Sequence, residues 1–138
     1  MEFKQSRFQD VFSRAYEDIC YGLWCGCVGL LLYFIFPEIN LLSIFIFPII
    51  ISLCTIFYAI FKSKEGSKTI AFSEHDFNYI NGDEVTHFTW QDFLGVKITK
   101  LPPHRIVIAN KVFGKTVFSY YAFSSEQRKS ILEYLSNK

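Results

Sequence analysis

Residues 19–61 form a run of 43 positions that contains one Asp, Glu, Lys or Arg side chain, Glu38. The other 26 charged residues are spread over the remaining 95 positions. As a single helix the run would be roughly 65 Å long at ~1.5 Å per residue. A bilayer's hydrocarbon core is only about 30 Å thick, so the run is too long for one crossing and right for two. A break stands in the middle, where Pro37-Glu38-Ile39-Asn40 joins a helix breaker, the one charge and a turn-forming amide. The reading is a transmembrane hairpin with spans 19–36 and 41–61 and a very short turn.

The second span carries 14 Leu, Ile or Phe residues and the first nine Leu, Ile, Val or Phe. On the insertion scale these contribute roughly −4 to −8 and −3 to −5 kcal/mol before polar residues are counted. Pro48 would break a soluble helix but is tolerated as a kink in a membrane one. A signal peptide fits poorly, because residues 1–18 hold four acids against three bases and no A-x-A site follows. Lys4, Arg7 and Arg14 precede the first span, Lys62, Lys64 and Lys68 follow the second, and the turn has no base. The positive-inside rule therefore expects both termini in the cytoplasm.

Small residues punctuate the first span. Gly22, Gly26 and Gly29 make a stripe that lets helices approach closely, either within this hairpin or between two copies of the chain. The within-hairpin use is the simpler. Cys20, Cys25, Cys27 and Cys54 all lie in the spans, and one C-x-C without further ligands reads as apolar packing, not zinc. Cys20, at the cytoplasmic edge, is also placed for palmitoylation. Ahead of the spans, residues 3–16 (FKQSRFQDVFSRAY) set Phe8, Val11 and Phe12 at helical spacing. An amphipathic segment over residues 1–18 either lies on the membrane surface or extends the first transmembrane helix into the cytoplasm and docks on the soluble part, and docking is preferred because its net charge is small.

From Thr69 onward the pattern shifts to period-two alternation. Ile70/Phe72 and Phe77/Tyr79 lead into Asn81-Gly82, a hairpin signal. Residues 85–90, 93–99, 105–109 and 116–121 continue as strands, with Pro102-Pro103 interrupting them. Ser124 and Gln127 form a capping box for a final helix with Ile131, Leu132 and Leu135 on one face. The expected class is α+β: a membrane hairpin, then residues 62–138 as a small antiparallel sheet of about five strands capped by a C-terminal helix.

Several features carry a resemblance. They are a two-span hairpin, then Phe72-Ser-Glu-His-Asp-Phe77, then Phe88-Thr-Trp90-Gln-Asp-Phe93-Leu-Gly-Val96, and Ala122-Phe123-Ser124-Ser125-Glu126-Gln127 opening a helix. Residues 19–138 resemble the YcxB-like family of bacterial membrane proteins. The resemblance implies a pleckstrin-homology (PH)-like domain, placement in the bacterial inner membrane, and no catalytic residues. Members often carry a further strand-rich stretch before the hairpin, where this chain has 18 residues.

Composition narrows the function. With 14 Lys+Arg against 13 Asp+Glu over 138 residues, net charge +1, the chain lacks the basic footprint of a nucleic-acid binder. A hydrophobic fraction of 51% against 20% charged excludes disorder. His75, His87 and His104 stand apart, and HExxH, GxSxG, Walker A and GxGxxG patterns are absent, so neither catalysis nor a cofactor is expected. Binding fits better. Lys62, Lys64 and Lys68 sit beside the membrane, where each gains about 1 kcal/mol from anionic lipid. Lys97, Lys100, Arg105, Lys111 and Lys115 gather in the third-to-fifth strand region. The simpler account of all eight is a solvated basic rim. The leading expectation is a non-enzymatic, membrane-anchored module for a protein partner or membrane lipid. An immunity or resistance protein whose partner is a toxin is the alternative, and a lipid-modifying enzyme the third.

Overall fold

The computed structural model describes every residue except Pro37, Ile39, Phe113 and Lys138, together with all side chains of the others but Leu41. The turn read at Pro37-Glu38-Ile39-Asn40 thus lies partly outside the described residues. Asn40 is described, and its side chain caps the following helix by accepting from the Leu42 amide at 3.0 Å.

The chain begins with a short strand, β1 (Glu2–Lys4), followed by α1 (Arg7–Ile35) and α2 (Leu41–Lys62). Strands β2 (Lys68–Phe72), β3 (Asp76–Asn81) and β4 (Glu84–Thr89) come next, then β5 (Phe93–Ile98), β6 (Arg105–Asn110) and β7 (Gly114–Ser119). A 3₁₀ turn at Tyr120–Ala122 leads into α3 (Ser125–Ser136). The architecture is α+β, and both α1 and α2 are long and apolar enough to cross a membrane. At 29 and 22 residues they measure about 44 and 33 Å.

Two expectations need correction. The strands form two antiparallel sheets, β1-β2-β3-β4 and β5-β6-β7, in place of one sheet of about five. The split falls at Trp90–Asp92, where the Thr89 hydroxyl donates to Asp92 Oδ2 at 2.6 Å and turns the chain before it can pair with β4. The register of β5 against β6 shifts between Phe93 and Gly95, a bulge that ends at Gly95, whose φ is +133°. The second correction concerns residues 1–18. Their first residues are a strand, β1, which pairs with β2 in the register Phe3↔Ile70, and no boundary falls at residue 18, because α1 runs from Arg7 past Ile19 as the helical extension weighed above. Ser6 starts that helix with a capping box, donating its own amide to Gln9 Oε1 (2.8 Å) and accepting the Gln9 amide on its hydroxyl (3.2 Å).

The core lies between the sheets and under α3. Phe72, Phe77, Phe88, Ile106, Ile108, Phe118, Phe123 and Ile131 are buried there, and Phe3 joins them from the far N-terminus. Phe77 and Phe88 stack at 4.6 Å from opposite positions on β3 and β4, as do Tyr79 and Phe118 at 5.1 Å between the sheets. Such rings bury a large apolar area per residue, which lets a domain this small close a core. Gln5, fully buried, accepts from the Ser67 hydroxyl at 2.6 Å and tethers the α2–β2 linker to the N-terminus.

Candidate functional site

The first three turns of α1 lie against the sheets. Phe12 and Tyr16 meet the Tyr121 ring edge-on at 5.5 and 4.5 Å, and the Tyr16 hydroxyl accepts the His104 amide at 3.1 Å. Further along, Trp24 donates its indole N–H to the Pro102 carbonyl at 2.9 Å. Of the two placements weighed for the N-terminal segment, these contacts are those of docking.

Between α1 and the open corner of the two sheets lies a cavity of about 500 Å³. Helix α1 contributes Arg14 and Glu17, β2 contributes Lys68, β3 contributes Tyr79 and Asn81, β6 contributes Arg105, and β7 contributes Ser119 with Val117 and Phe118. Arg14 and Glu17 share a helix face, and Tyr79 and Asn81 lie on one side of β3.

Two of the three cations have carboxylate partners. Arg105 grips Glu17 with both Nε and Nη2 at 3.3 Å, a fork-to-carboxylate arrangement, and Nη2 also donates to the Tyr21 hydroxyl at 2.6 Å. Burial lowers the Arg105 pKa, but the Glu17 hydrogen bond and charge outweigh it and raise the guanidinium above its ordinary value. Arg14 bonds Asp10, which is fully buried, at 3.1 Å. Lys68 differs. Its ammonium has no carboxylate in ion-pair range among the described residues, and burial pushes its pKa down. Burial also raises the Tyr79 phenol, with Glu17 adding to the effect. Ser119 Oγ is buried with no hydrogen-bond partner among the described residues. The cavity therefore offers hydrogen-bond donors and one uncompensated positive charge.

Of the eight basic residues singled out from the sequence, Lys68 and Arg105 alone line this cavity. Lys62 ends α2 and Lys64 follows it, both exposed. Lys97 borders a groove between β5 and α3, Lys100 stands exposed in the β5–β6 loop, and Lys115 is exposed on β7. Lys111 donates to the Gln91 carbonyl at 3.4 Å. The supposed cluster over the third-to-fifth strands is thus dispersed around the domain. Arg14, Glu17, Tyr79, Asn81 and Ser119 were missed by sequence reasoning. The Asp10-Arg14-Glu17 spacing on one helix face was the available signal, but docking alone does not say which strands that face meets.

The glycine stripe faces α2. A Cβ on Gly22 would lie 3.4 Å from Ser52 Oγ, one on Gly26 would lie 3.9 Å from the Phe45 ring, and one on Gly29 would collide with Ile44. The three glycines accordingly sit at the contact within the hairpin. His87 Nε2 lies 3.4 Å from Asp76 Oδ2, across the β3–β4 pair, on an outward face. No group of three His, Cys, Asp or Glu positioned for a metal ion occurs among the described residues.

Compared with known proteins, the chain matches no family model, no curated protein and no solved structure.

Proposed function

We propose that this chain is a YcxB-like, non-enzymatic membrane anchor: α1 and α2 cross the inner membrane as a hairpin, and the two sheets with α3 form a PH-like module at its cytoplasmic face. The module binds a protein partner or membrane lipid. The observation that carries the reading is the continuity of α1. One helix leaves the core beside Tyr121, passes the Glu17–Arg105 ion pair, and enters the apolar run still bonded to the module at Trp24. A binding module fixed in this way stands directly on the bilayer without a flexible linker. Two sheets of four and three strands with one covering helix support the PH-like part.

The edge strand β4 is the surface for a protein partner. Its outer side is unpaired in the sheet among the described residues, and Val85 is exposed on it. An open edge of this kind accepts an added strand. A photo-crosslinking side chain at Val85, with one at Lys129 on α3 as control, tests the assignment in intact cells. A discrete protein adduct at position 85 and none at 129 is expected. Adducts to lipid alone, or equal adducts at both positions, would refute a partner at this edge.

A further inference from the structure

We propose that the cavity between α1 and the sheets is a binding site for a phosphate group bearing one net negative charge, such as the phosphodiester of an anionic phospholipid. Three cations from three different elements, Arg14, Lys68 and Arg105, converge there against the carboxylates of Asp10 and Glu17. Arg14 and Arg105 are neutralised by those partners, so the site carries one positive charge in excess, on Lys68. A half-buried ammonium without a counter-ion opposes folding unless an anion joins it. The neutral groups suit an oxyanion as well. Ser119, a lining residue, holds a buried hydroxyl with no partner among the described residues, and burial keeps the Tyr79 phenol in its protonated form. A tetrahedral phosphate accepts several such bonds at once on separate oxygens, whereas an apolar ligand leaves them unmade. The volume, about 500 Å³, admits a phosphate with the glycerol unit attached to it.

Position singles out the source. Arg105 reaches Tyr21 at 2.6 Å, and Tyr21 lies in the run that begins at residue 19. The cavity therefore sits at the level where a bilayer places its headgroups. This step deepens the membrane-anchored reading and rests on it for the origin of the phosphate, while the cavity's preference for phosphate stands on its own geometry.

The test uses the full chain in dodecyl maltoside micelles, which contain no phosphate, with thermal unfolding followed by tryptophan fluorescence. Dihexanoyl-phosphatidylglycerol and inorganic phosphate are titrated separately, each against sodium chloride of equal ionic strength. Saturating phosphatidylglycerol is expected to raise the wild-type Tm by about 5 °C beyond chloride. Lys68→Gln and, independently, Ser119→Ala should lose at least half of that shift, while Lys111→Gln keeps it. An equal rise with inorganic phosphate, lost in the same two variants, supports the cavity with a soluble phosphate as its ligand. A wild-type Tm that responds no more to either phosphate than to chloride would overturn the proposal. Full retention of the shift by both cavity variants, or its equal loss in Lys111→Gln, would also overturn it. Because micelles take the place of the bilayer, these outcomes are separate from whether α1 and α2 cross a membrane, which fractionation of the cells decides.

Discussion

Lys68 is the residue whose environment departs furthest from what its sequence position suggests. Its folded-state pKa is lowered by burial, so the unfolded chain holds that proton more tightly and the charged side chain opposes folding at neutral pH. That opposition is relieved as pH rises through the lowered value toward the ordinary lysine range. Replacing the ammonium by a methionine of similar length is therefore expected to raise the Tm in phosphate-free micelles by about 3 °C. A fall would show that the charge already has a stabilising partner. Lys68 was legible as a basic residue next to the apolar run, but its difference from Lys62 and Lys64 was not. Charge can be read from a letter; burial depends on α1 closing over the sheet corner from more than fifty positions away. Gly29 makes the opposite case. A small-residue stripe has a physical meaning in sequence, and the position that would collide with Ile44 is one of the three it marked. Gly29→Leu is expected to force α1 and α2 apart. Spectroscopic distances between labels on the two helices should lengthen by about 2 Å or more, given packed axes 8–10 Å apart; unchanged distances would mean the helices do not pack here.

At the scale of elements, the strands that follow α2 were readable because alternation, Asn81-Gly82 and the Ser124/Gln127 capping box are local signals. Helix α3 uses that box as its spacing suggests: the Gln127 amide donates to Ser124 Oγ at 3.2 Å, and the Ser124 amide donates to Gln127 Oε1 at 3.0 Å. Strand β1 was hidden for a different reason. Three residues, Glu2–Lys4, give too little alternation to recognise, and the β2 partner is separated from them by the whole helical hairpin. Yet Phe3 is buried against Phe72 at 6.1 Å, edge to face. Phe3→Ala should cost about 3 kcal/mol, the range for removing a buried aromatic. Denaturant unfolding of the full chain in micelles measures this, and a loss below about 1 kcal/mol would mean β1 frays without consequence. The separation of the sheets at Trp90–Asp92 was likewise unreadable, since alternation specifies which face a residue takes and not which strand it pairs with.

For the whole molecule, charge distribution was the most informative property of the chain. An apolar run of 43 residues with one charge dictated two long helices before any other feature was considered, and α1 and α2 are those helices. Helix α1 starts twelve residues before that run, the helical extension weighed for residues 3–16, so that the apolar run and the domain share a single rod. That sharing is the centre of the proposed account, in which the ends of the chain and the folded sheets lie on one side of a bilayer and the α1–α2 connection on the other. Impermeant maleimide labelling of intact cells tests this most directly. In a background with Cys20, Cys25, Cys27 and Cys54 replaced by Ala, single cysteines are placed as Glu38→Cys and Ser136→Cys. The account predicts that position 38 is labelled in intact cells, while position 136 is labelled only after the membrane is opened. Labelling of position 136 in intact cells, or protection of position 38 until lysis, would contradict it.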